Sequence, residues 1–391
     1  MIRKVLFRKF KAYRSLDVEL EPFTVLVGPN ASGKTTLLEG LLLATDVASE
    51  EKNPPTNPMA FISPVIRTRE GLLTRDATPP LEIGITGNWK GTEAELWLRG
   101  AVRKAENPKK EEWVFSISGK IDGQDFRPGL NPIQQRVDQK KLSMLRSELR
   151  STAVLRFEPR RLAEPSYSEE EIPRVDSDGS GLAAVLAQLK LTDDEQFNAI
   201  ESFLKQIVPT VQRIRVERAA VEQTALRTVA LDEQQIKVPE TRTLWGNRIV
   251  FDMVGAKGVP ADTAGEGTLM ALGLLAVVMG PSRPKLILLD DVELALHPMA
   301  QGKLIQVLRG LQSHNPELQI VATSHSPFIL NHLDPKEVRM TFLSENGIAR
   351  CEKLTAHPEF EKWKDLMSPG EFWSTVGENW LEKVGEASAS E

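Results

Sequence analysis

The segment Gly28 to Thr35, GPNASGKT, has the residue types and spacing of a loop that holds phosphate groups. It matches the pattern G-x-x-x-x-G-K-[ST] and lies between an apolar run, FTVLV, and a helical run, TLLEGLLLA. Glycines let backbone amides close around phosphate oxygens at a helix N-terminus, where the helix dipole favours anions. Lys34 adds a positive charge for the terminal phosphates, and the Thr35 hydroxyl can ligate magnesium. The nucleotide-binding residues predicted from this segment are Gly28, Pro29, Asn30, Ala31, Ser32, Gly33, Lys34, Thr35 and Thr36.

Two adjacent aspartates, Asp290 and Asp291, end the apolar run KLILL. Such a run is typical of a strand buried on both faces, and ligands bind at the carboxyl ends of strands in open parallel sheets. We predict that Asp290 holds magnesium or its water shell and that Asp291 orients or deprotonates the attacking water. The alternative is a carboxylate that caps the next helix, but the phosphate loop elsewhere in the chain favours the catalytic role.

One histidine, His325, follows a further apolar run, LQIV, within the segment ATSHSP. We expect it at the same sheet edge as the aspartates, where an imidazole can hydrogen-bond a γ-phosphate or the attacking water. A lone histidine is more often structural, and we assign His297 and His332 to that class. The order of His325 after Asp291 in the chain favours a catalytic role for His325.

The surrounding elements predict an α/β fold. Residues 46–80 are rich in proline, threonine and asparagine and are expected to be an exposed connection. Three alternating runs after them indicate an antiparallel meander, and short strands are expected between 211 and 254. The last third alternates helix and strand, which is typical of a parallel sheet with helical crossovers. The predicted divisions are a phosphate-loop and antiparallel β-lobe at 1–160, a helical insertion with returning strands at 161–260, a lobe with the turn, acids and histidine at 261–355, and an aromatic tail at 356–391.

Composition excludes several classes of protein. With 41% hydrophobic and 26% charged residues, the chain is an ordinary globular protein with a large core. Its one cysteine, Cys351, excludes an internal disulfide framework and fits a reducing compartment. No signal peptide or membrane-spanning run is recognisable, so we expect a cytoplasmic protein without a membrane partner. The net charge of -5 argues against a surface that is basic throughout, as a nucleic-acid coat would require.

The order of the motifs resembles the ABC-type ATPase heads of the RecF, SMC and OLD group, often called AAA-family ATP-binding proteins. The phosphate loop is followed by a turn, GEGTL, that opens a helix, then by the D-D strand and by the T-S-H-S strand. The segments FRKFKAYRSL, DGSGLAAVLAQL, ELALHP and TSHSPFILNHLDPKEV also look like parts of that group. The resemblance covers nearly the whole chain. It implies a P-loop NTPase head with a mixed or parallel sheet core, an antiparallel β-lobe and a helical insertion, which binds ATP and magnesium.

Two departures from that family affect the expected activity. The family's signature turn reads S-x-G, and its serine reaches the γ-phosphate held by a partner subunit; here Gly265, Glu266 and Gly267 stand in its place, without the hydroxyl. The backbone amides remain available, and Thr263 or Thr268 is a less favoured substitute for the serine.

The second departure is at the end of the strand with the acids. The family strand ends D-E-P-E, whereas here Asp291 replaces the glutamate. Because the aspartate side chain is one methylene shorter, its carboxylate is about 1 Å short of the position that the glutamate carboxylate would reach. A misplacement of this size can lower the rate about 100-fold. We therefore expect slow hydrolysis, to which Glu293 can contribute.

The resemblance implies a slow ATPase that forms a homodimer or higher homo-oligomer around ATP and magnesium. Its cycle would switch a separate effector protein or a DNA transaction, in anti-phage defence or DNA repair. The tail resembles that of stand-alone ATPases with a small effector, and no nuclease is expected after the head. The alternatives are an ATP-bound scaffold that does not hydrolyse ATP and, less favoured, the nucleotide-binding subunit of a transporter.

Three further sets of residues are candidates for partners or for metal sensing. A basic helix could contact DNA, although its acidic residues favour a solvated face; its basic residues are Lys140, Lys141, Arg146 and Arg150. Aromatic side chains in the tail could anchor a partner or pack back on the head at even odds; they are Trp363, Phe372, Trp373 and Trp380. The family's magnesium-sensing glutamine has two candidates here, Gln134 and Gln135.

Overall fold

The computed structural model describes residues 1–50, 72–104, 111–126, 137–231, 234–293, 295–377 and 380. The chain divides into two compact units, each formed by segments that are distant in sequence. The first unit comprises Met1–Val154, Pro284–Glu293 and Arg309–Glu391, and the second comprises Leu155–Arg283 and Leu294–Leu308. The phosphate loop, both aspartates and His325 therefore belong to the first unit, whereas Gly265 to Gly267 belong to the second.

Strands and helices are numbered here in chain order. The strands are β1 (Ile2–Phe10), β2 (Tyr13–Glu19), β3 (Phe23–Val27), β4 (Leu81–Trp89), β5 (Thr92–Lys104), β6 (Glu111–Ile121), β7 (Gln124–Phe126), β8 (Thr152–Leu155), β9 (Val211–Leu231), β10 (Gln234–Met253), β11 (Ala256–Pro260), β12 (Leu286–Leu289), β13 (Gln319–Ser324), β14 (Val338–Leu343) and β15 (Ala349–Lys353). The helices are α1 (Lys34–Ser49), α2 (Gln139–Arg150), α3 (Pro159–Ala163), α4 (Leu182–Thr192), α5 (Asp194–Ile207), α6 (Glu266–Met279), α7 (Pro298–His314), α8 (Pro327–Leu330), α9 (Phe360–Trp363) and α10 (Pro369–Val376).

The first unit contains an antiparallel sheet in the order β2-β1-β4-β5-β6-β7. Its strands alternate buried and exposed side chains, because one face covers the core and the other meets water. The meander predicted from the three alternating runs is confirmed, with β4, β5 and β6 paired in sequence. The buried face packs on α1, whose side chains Leu37, Leu38 and Leu41 are almost wholly inaccessible.

The second sheet of this unit has the order β15-β14-β3-β13-β12-β8. Its central pairs β14–β3, β3–β13 and β13–β12 are parallel, as the alternation of strand and helix predicted. In the register, Val27 lies opposite Ser324 and Ala322 lies opposite Leu289. The carboxyl ends of β3, β13 and β12 therefore meet at one edge, each followed by a segment that carries polar side chains.

The expected exposed connection at 46–80 is wrong at its start and at Leu72, whereas residues 75–80 are a mostly exposed connection that leads to β4. Helix α1 continues to Ser49, and Val47, Ala48 and Ser49 are buried, because the helix is enclosed within the core of the unit. Leu72 is also fully buried, and its carbonyl accepts a hydrogen bond from the Lys11 amide. Residues 51–71 lie outside the described part of the chain.

The second unit combines helices α3 to α6 with a three-stranded sheet in the order β11-β10-β9. The short strands expected between 211 and 254 are wrong, because β9 and β10 form one long hairpin with pairing from Gln234–Leu231 to Phe251–Ile214 without a shift. Polar residues in this region suggested breaks between strands. In a two-stranded hairpin both faces can meet water, so polar residues continue the strands. None of the helices in the described part of the chain has the length and hydropathy of a transmembrane segment.

Candidate functional site

The phosphate loop joins β3 to α1 in a backbone conformation that two glycines make accessible. Gly28 has a φ of 148° and Gly33 a φ of 102°, a region that side chains with a Cβ rarely adopt. A Cβ on Gly28 would also lie 2.1 Å from the carbonyl oxygen of Thr341. A Cβ on Gly33 would lie 2.8 Å from the hydroxyl of Tyr13. The sequence motif thus reflects both backbone conformation and the lack of space around the loop.

Two contacts hold the loop against its own unit. The Tyr13 hydroxyl donates to the Gly33 carbonyl at 2.8 Å, and burial raises the pKa of Tyr13 well above its ordinary value, which keeps this donor protonated. The Thr341 hydroxyl donates to the Val27 carbonyl at 3.0 Å, so Ser32 supplies the proton in the 2.5 Å bond between the Ser32 and Thr341 hydroxyls. The loop is therefore held in place by hydrogen bonds from strands at either side of it.

Lys34 is folded over the loop and is 6% exposed. Its Nζ donates to the carbonyl oxygens of Gly28 and Pro29, each at 2.8 Å. The first turn of α1 contains no acidic residue, so the helix N-terminus and the ammonium group both favour an anion at this position. The lysine is thus kept at the loop by neutral acceptors.

Asp290 and Thr35 form a set of oxygen ligands beside the loop. The Thr35 hydroxyl donates to both Asp290 carboxylate oxygens, at 3.2 and 3.3 Å. Hydroxyl and carboxylate oxygens are the ligands that magnesium prefers, and magnesium is usually held by one or two carboxylates together with substrate phosphates. These two residues fit that donor set, and magnesium bound there would neutralise charge on the phosphates. Their role in metal binding stays a prediction.

Asp291 has a left-handed backbone, with a φ of 54°, which is uncommon for a residue other than glycine. Its amide donates to the Thr323 hydroxyl at 2.7 Å, and that hydroxyl donates to Asp290 at 2.8 Å. The amide of Val292 in turn donates to the Thr323 carbonyl at 3.0 Å. Thr323 on β13 therefore fixes the turn after β12 and contacts both aspartates, since its hydroxyl also lies 3.4 Å from Oδ1 of Asp291.

His325 follows β13, and its ring is exposed. Its backbone amide donates to Oε1 of Glu293 at 2.6 Å, a short bond to a charged acceptor. Glu293 therefore links the segment after β12 to the segment after β13. Sequence patterns single out neither this contact nor the role of Thr323, because both depend on how the two strands pair.

The three predicted elements of the site line one cavity. The cavity has a volume of about 240 Å³, and it is lined by Asn30, Ala31, Ser32, Gly33, Lys34, Thr35, Thr36, Asp291 and His325. All of these residues belong to the first unit. The expected convergence of phosphate loop, second aspartate and histidine is thus present in the structure, whereas their catalytic roles stay predictions.

Comparison with known proteins gives the family. The family described as "AAA domain, putative AbiEii toxin, Type IV TA system" matches residues 23–331. The chain belongs to this family. The match spans the phosphate loop, the aspartates and His325, so the site described above lies within the AAA domain.

Three relatives resemble this AAA-domain protein over part of their own length. The DNA replication and repair protein RecF of Listeria welshimeri is 29% identical over 121 residues, 30% of each chain. The OLD nuclease of Thermus scotoductus is 21% identical over 347 residues, which are 84% of this chain and 59% of the relative. The Retron Vc95 probable ATPase of Vibrio cholerae is 24% identical over 135 residues, or 32% and 25% of the two chains. The AAA-domain protein thus spans less than two thirds of the length of each relative.

Solved structures with the same fold are heads of SMC proteins. The Smc head bound to the C-winged helix domain of ScpA matches with a TM-score of 0.53 and 11% identity, over 92% of this chain and 99% of that one. The Smc head with an extended coiled coil, bound to the C-terminal domain of ScpA derived from Pyrococcus furiosus, matches with a TM-score of 0.50 and 11% identity, over 93% and 99%. The predicted ABC-type α/β fold is confirmed.

The signature turn of this AAA-domain protein lies in the second unit, at the start of α6. Gly265 precedes the helix with an extended backbone and is exposed, with no side-chain cap. A Cβ on Gly267 would lie 2.6 Å from the Ala295 carbonyl, so that position has no room for a side chain. Thr268 is buried and the Thr263 hydroxyl donates to the Pro260 carbonyl, so neither presents a free hydroxyl in place of the missing serine.

The other candidate residues of this AAA-domain protein have mixed outcomes. In α2, Lys141 forms an ion pair with Asp122 and Arg150 donates to the Ser49 carbonyl, so part of the basic face is engaged within the chain. In the tail, Phe372 is buried and contacts His357, whose ring also meets that of Trp380. These ring contacts lie within the tail, and the Gly370 amide joins the tail to the rest of its unit by donating to Asn331 at 2.9 Å. This part of the tail packs on its own unit, one of the two predicted alternatives, whereas Trp363 and Trp373 are half-buried. Gln134 and Gln135 lie outside the described residues.

Proposed function

We propose that this protein is a slow ATPase that binds ATP with magnesium through the first unit. One observation carries the proposal: the phosphate loop, Asp291 and His325 line a single cavity, beside which Thr35 contacts Asp290. Membership of an AAA-domain family supports it. In this proposal Lys34 and the loop amides hold the β- and γ-phosphates, and Thr35 and Asp290 hold the magnesium ion.

The proposed hydrolytic step uses two side chains at the open side of the cavity. Asp291 accepts a hydrogen bond from the attacking water and aligns it with the terminal phosphate, and His325 donates to an oxygen of that phosphate. Asp291 lines the cavity, whereas Asp290 contacts the Thr35 hydroxyl. Because the side chain of Asp291 is short, its carboxylate lies farther from the attacking water than a glutamate carboxylate would, and hydrolysis is therefore slow.

We further propose that two copies pair around ATP, each copy presenting the α6 N-terminus to the nucleotide held by the other. The backbone amides at Glu266 and Gly267 then take the place of the serine hydroxyl found in relatives. The relatives include a nuclease and a retron ATPase, and this supports an output through nuclease or defence chemistry. In this proposal pairing switches a separate effector.

The test is the response of full-length protein to ATP and magnesium, measured as phosphate release and as molar mass by light scattering. Asp291→Asn should bind ATP, lose hydrolysis and accumulate as an ATP-bound dimer. Asp365→Asn, which changes an exposed aspartate of the same unit, is the matched control. Hydrolysis at the parent rate by Asp291→Asn would show that another group orients the water. Absence of nucleotide uptake in calorimetry would end the proposal.

A second candidate is a scaffold that binds ATP without turnover. It is favoured by one specific observation, the combination of the short acid at Asp291 with the absent hydroxyl at Gly265. In that case ATP would promote dimers in the parent protein as strongly as in Asp291→Asn. Phosphate release that is no faster than in Lys34→Ala would identify the scaffold.

A further inference from the structure

The outer edge of β9 is an unpaired strand edge with a distinctive sequence. β9 is the last strand of its sheet, so only β10 pairs with it among the described residues. The Ile214 amide donates to a Glu201 carboxylate at 2.7 Å and therefore points away from β10. On the opposite strand Asn247 bonds outward to Ser166, which fixes the same alternation. Every second residue of β9 from Ile214 onward thus directs its amide and carbonyl to the open edge.

The residues that present this open edge are Val216, Arg218, Ala220 and Glu222. The last three have exposed side chains on one face of the hairpin. A basic and an acidic residue therefore stand at equal distances on either side of a small residue. The pattern is complementary to itself: when the strand is turned antiparallel about Ala220, each Arg218 lies opposite a Glu222.

The other face of the strand is compatible with the same arrangement. Turning β9 about Ala220 places Ala219 opposite Val221, and both are half-buried apolar residues. Glu217 comes opposite Gln223, so no two like charges meet in the central segment from Glu217 to Gln223; farther out, Arg213 comes opposite Arg227. A turn centred on Arg218 would oppose two arginines, and one centred on Glu222 would oppose two glutamates. The charges thus disfavour those two registers, whereas the register centred on Ala220 brings each Arg218 opposite a Glu222.

We propose that β9 of one copy pairs antiparallel with β9 of a second copy, centred on Ala220, and that this interface requires no nucleotide. The outward amides and carbonyls of the two strands would bond to each other, giving a continuous sheet in the order β10-β9-β9-β10. This interface is distinct from the ATP-dependent pairing proposed above, since all of its residues lie in the hairpin of the second unit. It would hold two copies together throughout the nucleotide cycle, so the ATP-dependent pairing is measured in the Arg218→Glu protein, whose β9 interface is weakened.

The first test measures the dimer dissociation constant by sedimentation equilibrium without nucleotide. Arg218→Glu and Glu222→Arg should each weaken the dimer at least about tenfold, because each reversal puts like charges together in two symmetric pairs. The double variant Arg218→Glu with Glu222→Arg should restore it. Lys257→Glu reverses an exposed charge on β11, at the opposite edge of the same sheet, and should have no effect.

Failure of rescue in the double variant, or a monomeric parent protein at high concentration, would overturn the proposal. The same measurements in a Lys34→Ala background separate this interface from the ATP site. A dimer that persists there supports the β9 pairing, whereas a dimer lost there belongs to the nucleotide and refutes it.

A second test uses a covalent trap. In a bonded antiparallel pair the two Cα atoms lie about 5.5 Å apart, a distance that a disulfide spans. The chain has one cysteine, Cys351, and it is buried. Ala220→Cys should therefore form a disulfide-linked dimer under mild oxidation. Leu191→Cys, at an 84% exposed position of the same unit, should remain monomeric on a non-reducing gel. Equal cross-linking of the two variants would contradict the proposed register.

Discussion

The phosphate loop and the signature turn both place a glycine before a helix N-terminus, but they carry opposite charges beside it. Each ends in a glycine just before a helix, and neither helix has a side-chain cap. The loop adds Lys34, and α1 has no acid in its first turn. The signature turn adds Glu266, whose negative charge at the start of α6 competes with an incoming phosphate. The comparison favours the first unit as an anion-binding site, and it makes the α6 N-terminus the weaker half of the proposed pairing across the nucleotide.

The largest expected effect is on ATP binding by the phosphate loop. Lys34→Ala removes the cation from the loop and should weaken ATP binding by about 100-fold, since hydrogen bonds to charged groups contribute about 1.5–3 kcal/mol each. Isothermal titration calorimetry with ATP and magnesium measures the change. Lys336→Ala, an exposed lysine of the same unit, serves as the control and should bind as the parent does. If Lys34→Ala bound ATP with the affinity of the parent, the loop would not be part of the nucleotide site.

The next effect concerns reach toward the attacking water. Asp291→Glu extends the carboxylate by one methylene and should raise turnover by up to about 100-fold. Affinity for ATP should stay near that of the parent, because Lys34 and Thr35 are unchanged. Single-turnover phosphate release separates the two quantities. A rate equal to or below that of the parent would show that the backbone at Asp291 already places the shorter acid correctly.

Changes at the signature turn should have a smaller effect, limited to pairing. Gly265→Ser restores the missing hydroxyl at an exposed position whose extended backbone suits serine, with the nearest atom to a Cβ at 3.9 Å. The ATP-dependent dimer of the Asp291→Asn protein should tighten by about tenfold when this change is added, which corresponds to about 1.4 kcal/mol.

Two controls sharpen the signature test. Gly310→Ser places the same hydroxyl in open space in α7 and should not affect pairing. Glu266→Gln removes the competing charge and should act in the same direction as Gly265→Ser. If neither change at the turn alters dimerisation, the α6 N-terminus does not receive the nucleotide.

Local patterns predicted the parts of this protein that are determined locally. The phosphate loop was recognisable because its glycines and lysine must follow one another in a fixed order within one turn. The sheet edge was predictable since apolar runs placed Asp290 and His325 at the ends of buried parallel strands. The family resemblance added the order of the elements, and the family match bears that out.

Features that depend on pairing between distant segments were not predictable. The bond from Thr323 to the aspartates requires the register of β12 against β13. An aspartate adopts left-handed backbone more often than most residues, but its type alone does not predict the turn at Asp291. The full length of the β9–β10 hairpin was missed because its alternation is largely polar. The burial of Val47 was missed because a compositional change after α1 suggested a loop.

The smallest expected effect tests whether the segments after β12 and β13 act together. Glu293 accepts the His325 amide at 2.6 Å, so Glu293→Ala should let the histidine segment shift and lower turnover about three- to tenfold, within the range of one net hydrogen bond. Glu293→Gln retains an acceptor and should recover most of the rate. The affinity for ATP should be unaltered, and so should the tightening of the dimer that Gly265→Ser causes, because Glu293 contacts neither the phosphate loop nor the signature turn. Adding Glu293→Ala to a His325→Ala protein tests the link between the two residues. If turnover falls by the same factor as in the parent, Glu293 acts through some other residue. If turnover does not fall further, Glu293 and His325 act in the same step.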